Sequence, residues 1–282
     1  MYTYGELLDD VNYLSRFGVE TGCIGASKFG RLIPFVHIEG GGKPVLVTAG
    51  IHAREHVSSL FAVKQIYRFF SARHTSDVWW VPMVNPDGNA LIADGAEAFG
   101  FEKNRLIALN GGSSDFSLWK ANAAGVDLNT NFDAEWGNGK MNSRAAGSEN
   151  YVGERPFSEP ETIALAEFTQ KIKPCLTLSY HAKGHEIYYE FGQSGEALER
   201  DRRIAEYAAS LTGFSLINGT RGSAGGYKDW CVSALKIPSL TLELAPDEFS
   251  HPLPDCSIAD DFEREPMLPE KLYAFMVENG YV

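Results

Sequence analysis

Two apolar runs, "KPVLVTAGI" at 43–51 and "SDVWWVPMVN" at 76–85, flank "HVSSLFAVKQIYRFFSA" at 56–72, whose apolar residues recur at helical spacing. Short continuous apolar runs bounded by turn residues read as strands buried on both faces. Strand, helix, strand in that order is the right-handed crossover of a largely parallel sheet, so the chain is expected to build an α/β fold.

The flanking pattern extends this picture. "GELLDDVNYLSRF" reads as a helix, and "ETGCIGAS" and "RLIPFVHIE" as a hairpin turned at "KFG". From "PDGNALIADG" to "GSENYVGERPF" the chain is rich in Gly, Asn, Ser and Asp. That stretch is expected to be a long loop and, because ordinary connections are far shorter, a functional one. "SEPETIALAEFTQKI" restores a helix, with Ser158 and Glu161 in a capping-box pattern. "CLTLSY", "EIYYEFG" and "PSLTLEL" read as strands, and "EALERDRRIAEYAASL", a short "GGYKDWCVSAL" and "EPMLPEKLYAFMVEN" as helices. The expectation is a three-layer α/β sandwich around a mixed sheet, formed as a single domain over 1–282. A chain of 282 residues with 44% hydrophobic content can bury one large core.

With 25 basic and 37 acidic residues the net charge is −12, which argues against nonspecific binding to nucleic acid or an anionic membrane. An acidic substrate in a locally basic cleft remains open. Cys23, Cys175, Cys231 and Cys256 form no CxxC pair, so reduced and mostly buried thiols are expected rather than a disulfide scaffold or a thiolate metal site. The N-terminus "MYTYGELLDD" lacks the basic and apolar regions of a signal peptide, and no apolar run is long enough to span a bilayer. A soluble, cytoplasmic protein is the corresponding expectation.

The stretch "GIHAREHVSS" places His52 and Glu55 at the carboxyl end of the first buried strand, where open α/β sheets keep their ligand crevices. A neutral imidazole and a carboxylate can converge there on one cation. A catalytic zinc site takes three protein ligands and leaves a position open, and two His with one Glu is a known set. The third ligand should come from "TLSYHAKGHEIYY": His181 follows directly on a strand, while His185 competes from deeper in the turn. Either histidine could instead cap or pack. Glu243 lies inside the apolar "IPSLTLEL", where an ionised carboxylate is costly unless it serves a partner or cation, or unless it faces solvent.

Together these residues resemble the zinc metallocarboxypeptidase family: "HAREH" for HxxE, "NPDG" after the next strand, "GVDLNTNF" for GVDLNRNF, "SYHAKG" for the third ligand and "TLEL" for a strand-borne Glu. The motifs keep the family's order over roughly 1–280. The resemblance implies an α/β/α sandwich on a twisted mixed, mostly parallel sheet. It also implies one Zn²⁺ per chain, held by His52, Glu55 and His181, with Glu243 as general base of a promoted-water hydrolysis. Asp127 of "GVDLN" matches the carboxylate that orients the first zinc histidine.

The departures carry specificity. Thr130 stands where GVDLNRNF supplies the Arg that pairs with a substrate's terminal carboxylate, and Thr cannot replace a guanidinium. Lys120 occupies the place of the Arg that stabilises the oxyanion, and can still offer charge there. Counting back from Glu243 puts Lys228 where the family selects the released side chain and Arg221 where it carries a mobile Tyr, so both are expected to favour carboxylates. Arg54, Asn129 and Tyr227 match positions near the substrate. Thr130, with "WKANAAGVDLN" and "PFSEPET", is most similar to the branch that hydrolyses the γ-D-glutamyl to meso-diaminopimelate bond of peptidoglycan peptides. That implies a peptide substrate, taken to be a soluble muropeptide. The alternatives are a conventional carboxypeptidase of unusual specificity using Arg144 or Arg221 as its clamp, a zinc-dependent N-acyl amino acid deacylase, and a catalytically inactive peptide-binding module.

Overall fold

The computed structural model describes residues 1–282. The first helix, α1 (Tyr4–Arg16), starts at a capping box in which Thr3 and Glu6 satisfy each other's backbone N–H. The expected hairpin follows as β1 (Glu20–Ala26) and β2 (Leu32–Ile38), paired antiparallel. The crossover unit is present as β3 (Gly41–Ala49), α2 (His56–Ser71) and β4 (Ser76–Val81), with β3 and β4 parallel neighbours. The later elements are α3 (Pro86–Asp94), α4 (Lys103–Leu109), α5 (Pro160–Ile172), β5 (Leu176–Ala182), β6 (Glu186–Tyr188), α6 (Gly195–Thr212), β7 (Ser215–Ile217), α7 (Tyr227–Trp230), β8 (Ser239–Leu244), α8 (Ala259–Arg264) and α9 (Leu268–Glu278). The strands form one eight-stranded mixed sheet in the order β1-β2-β4-β3-β5-β8-β6-β7. Its centre, β4-β3-β5-β8, is parallel throughout.

Helices cover both faces. On one, Val45, Val47 and Ala49 of β3 and Leu176, Leu178 and Tyr180 of β5 pack with Val57 and Phe61 of α2, Ile204 of α6 and Leu272 of α9. On the other, Leu46 of β3 and Val81 of β4 pack with Leu165 and Phe168 of α5, Phe132 and Trp230. Because side chains alternate along a strand, one strand feeds both layers. This is the three-layer α/β/α architecture on a mixed, mostly parallel sheet.

The structure departs from the sequence reading in four places. The segment read as one long loop contains α3 and α4, with a 3₁₀ turn over Ala96–Glu102 between them. The Asn, Pro and Gly that suggested a turn begin a helix: Gly88 N donates to Asn85 Oδ1 at 2.9 Å, and Pro86 occupies the first turn. Ser158 is not the cap of α5. Glu159 holds that position with an extended backbone, Ser158 Oγ accepts from Asn131 Nδ2 at 2.9 Å, and Glu161 turns to Lys28 N at 3.1 Å. β7 and α8 carried no recognised pattern. Finally, of the cysteines only Cys231 is buried; all four are unpaired.

Candidate active site

The site is built where β3, β5 and β8 end. Beyond Ala49 the chain turns at Gly50, whose φ is +61° and where a Cβ would collide with Ser59 Oγ, so the turn requires glycine. Asn85 Nδ2 donates to Ile51 O at 3.2 Å and Ala121 O at 3.1 Å, tying the His52 turn to the loop that carries Lys120. Ser58 Oγ donates to Glu55 O at 2.7 Å and accepts from Gly50 N at 3.0 Å, which anchors the start of α2 under Glu55.

This scaffold brings His52, Glu55 and His181 together. Their candidate ligand atoms all lie within 4.8 Å of one another and all three residues are buried. His52 Nδ1 is 2.8 Å from Glu55 Oε1, and His181 Nδ1 is 3.1 Å from Glu55 Oε2 and 3.1 Å from His52 Nδ1. Ala182 N also donates to Glu55 Oε2 at 3.2 Å. Two imidazole nitrogens and a carboxylate aimed at one point form a donor set suited to a zinc ion, and the fit is chemical as well as spatial. His185 is turned away: its Nε2 lies 2.8 Å from Asp261 Oδ1 and its ring stacks on Phe214.

Behind His52, Asp127 is fully buried with Oδ1 3.3 Å from His52 Nε2 and Oδ2 3.0 Å from Lys120 Nζ. Asn129 N and Asn150 N donate to its two oxygens at 3.1 and 3.2 Å. Burial works against the charged carboxylate, but Lys120 and His52 hold it well below its usual range. Lys120 thus faces the cleft as a cation already paired with Asp127.

Glu243 pairs across the sheet with His181 in register, so strand order alone sets the two side by side. Desolvation in the cleft raises its carboxyl to about 7; His181 opposes the rise and Glu55 adds to it. These groups open onto a cleft of about 440 Å³ that also takes in Asn129, Thr130, Arg221 and Lys228.

The remaining expectations divide. Asn129 lines the cleft and its Oδ1 accepts from Tyr227 N at 3.0 Å. Lys228 lines the cleft but is buried, with Nζ 2.6 Å from Asp229 Oδ1 and donating to Glu190 O at 2.8 Å. Arg221 lies on the exposed rim, engaged by Glu186 Oε1 at 3.0 Å. Tyr227 is a correction. Its side chain points into the core with its hydroxyl 2.8 Å from Thr169 Oγ1, and on a one-turn helix only its backbone faces the site. Arg54 also turns aside, donating to Leu118 O at 3.2 Å and Glu149 Oε2 at 3.4 Å, and does not line the cleft. Arg144 lies over the Trp136 ring at 4.4 Å instead of supplying a clamp. Lys140, Asn142 and Asp229 line the cleft unforeseen. For Asp229 the "GGYKDW" stretch held a signal; for the loop residues there was none.

Residues 6–265 match the family model described as zinc carboxypeptidase. The chain is 32% identical over 271 residues to the gamma-D-glutamyl-L-diamino acid endopeptidase 1 of Lysinibacillus sphaericus, covering 90% of this chain and 67% of that one. It spans about two thirds or less of the length of the first three curated relatives it matches. Among solved structures, bovine thrombin-activatable fibrinolysis inhibitor superposes with a TM-score of 0.80 at 22% identity over 99% of this chain and 98% of that one. The murein-tripeptide amidase MpaA of Escherichia coli O157 gives 0.62 at 23% over 88% and 91%. The chain belongs to the zinc carboxypeptidase family, whose members are hydrolytic metallopeptidases.

Proposed function

We propose that this zinc peptidase hydrolyses the amide bond between γ-D-glutamate and a diamino acid, meso-diaminopimelate, in peptidoglycan peptides. His52, Glu55 and His181 would hold one zinc ion, and Glu243 would move the proton. The observation that carries the substrate reading is an intact donor set in a cleft where Thr130, not an arginine, stands at the position from which the family pairs a C-terminal carboxylate, while Arg221 on the rim is held by Glu186. The relative from Lysinibacillus sphaericus, named for a γ-D-glutamyl-diamino acid bond, supports the same direction.

A zinc ion held by His52, Glu55 and His181 would supply Lewis acidity for the scissile carbonyl and lower the pKa of a water to about 7. The protein's own residues do the rest. Asp127 fixes the His52 ring from behind, so that Nδ1 faces the donor set. Glu243, set beside His181 by strand register, takes a proton at its Oε and returns it to the departing amine. Lys120 keeps Asp127 ionised and adds positive charge to the cleft where the carbonyl oxygen gains negative charge.

No helix is long and apolar enough to cross a membrane. A conventional carboxypeptidase would need a replacement clamp, and both Arg144 and Arg221 are otherwise engaged. Incubation with defined γ-D-glutamyl-diaminopimelate peptides, read by mass spectrometry, should yield the two fragments of that bond. Release of single C-terminal residues from ordinary L-peptides, with the γ-D-glutamyl bond intact, would overturn the reading.

A further inference from the structure

Along β8, Thr241 lies two residues before Glu243 on the same face, about 7 Å deeper by strand rise, and both line the cleft with Lys228 and Asp229. A side chain leaving with the amine product would run from Glu243 toward that buried ion pair. Lys228 Nζ is 2.6 Å from Asp229 Oδ1, and the two side chains are only 9% and 3% exposed. Each member has one further hydrogen-bonding neighbour. The aligned hydrogen bond of Nζ goes to Glu190 O at 2.8 Å, and Gly226 N occupies Asp229 Oδ2 at 3.1 Å. Asp229 Oδ1 is buried without an aligned donor.

We propose that Lys228 and Asp229 together read a zwitterionic side-chain terminus, Lys228 taking its carboxylate and Asp229 Oδ1 its ammonium. An anion alone would draw Lys228 off Asp229 and leave a buried carboxylate uncompensated; an ammonium alone would strand Lys228. A group carrying both charges re-pairs both partners, so neither buried charge is left uncompensated. This keeps the expectation that Lys228 takes a carboxylate and adds Asp229 as the reader of a second charge. It rests on the γ-D-glutamyl-diamino acid reading and narrows it to a residue whose far end keeps a free α-amino and a free α-carboxyl.

The test uses the zinc-loaded enzyme and γ-D-glutamyl peptides whose second residue is meso-diaminopimelate, L-lysine (ammonium only) or L-2-aminopimelate (carboxylate only). The kcat/KM for diaminopimelate should exceed each singly charged analogue on the order of 10-fold or more. Lys228→Met should abolish the preference over lysine, and Asp229→Asn the preference over aminopimelate. Asp229 also caps α7, so if Asp229→Asn does not fold, the unmodified enzyme and Lys228→Met decide. Aminopimelate or lysine turned over as well as diaminopimelate would overturn the proposal. If no γ-D-glutamyl peptide is cut but ordinary peptides lose C-terminal residues, the parent reading fails. The same three side chains at that C-terminal position then test the pair independently.

Discussion

The two faces of β5 and β8 use one backbone for opposite purposes. Leu176, Leu178 and Tyr180, with Leu240, Leu242 and Leu244, enter the larger hydrophobic layer. The residues between them, Thr177, Ser179 and His181 and then Ser239, Thr241 and Glu243, turn to the other face, where polar side chains lead to the cleft. Burial alone therefore does not separate core from site, since members of both files are nearly inaccessible. The distinction lies in what each side chain meets: apolar neighbours along one file, and along the other hydroxyl partners at Thr177, Ser179 and Ser239 giving way to ionisable partners at His181 and Glu243. One face should accordingly govern stability and the other chemistry.

The sharpest way to break that comparison is at the end of the polar file. Glu243→Gln preserves shape and removes the proton carrier, so turnover should fall on the order of 10²-fold or more while the melting temperature and zinc content stay near those of the parent. Near-normal turnover in a steady-state assay would remove Glu243 from the mechanism. On the opposite face, Leu178→Ala should destabilise the fold by about 2–5 kcal/mol in a denaturant titration, with activity per folded molecule unchanged. Equal losses of activity and stability in both variants would show that the faces are not separable.

The same alternation explains what could be read from the sequence. A carboxylate inside "TLEL" and a histidine ending "TLSYH" are conspicuous because their strands are otherwise apolar or small, and register then joins them. His181 and His185 stayed ambiguous because strand pairing, not spacing along the chain, separates them: one meets Glu243 across the sheet, while the other leaves for Asp261. Tyr227 was misplaced for a related reason. Adjacent residues on one helical turn point to different sides, so Lys228 and Asp229 enter the cleft as Tyr227 enters the core. Lys140 and Asn142 depend on the path of a loop across the fold, and no local pattern encodes that path.

The polar side should also carry a pH-dependent stability term away from the cleft. Glu161, at the start of α5, is fully buried, and burial raises its carboxyl to about 7; the hydrogen bond from Lys28 N works against the rise. Its folded pKa lies above the unfolded value, so the native state holds the proton longer as pH climbs. Its stability contribution is therefore complete below about 4.5 and is lost as pH rises through about 7. Glu161→Gln keeps the acceptor for Lys28 N and removes the titration. It should match the parent near pH 4.5 and exceed it at pH 8 by roughly 2–3 kcal/mol in urea unfolding. An identical pH dependence in the two proteins would mean that Glu161 is not held neutral.

The smallest expected effect makes the most direct comparison, because it concerns the residue next to Leu178. Ser179 Oγ accepts a hydrogen bond from Thr48 Oγ1 at 3.1 Å on the polar face. Ser179→Ala removes little volume, and the Thr48 hydroxyl keeps Leu178 O as a second, longer acceptor at 3.5 Å. The loss should be that of one neutral hydrogen bond, about 1 kcal/mol, in the same titration that reports Leu178→Ala. Turnover should barely change, since Ser179 is one step below His181 on the file but touches none of the converging donors. A loss as large as that of Leu178→Ala would mean that the polar file is itself structural core, and the division between the faces of β5 would fail at adjacent positions.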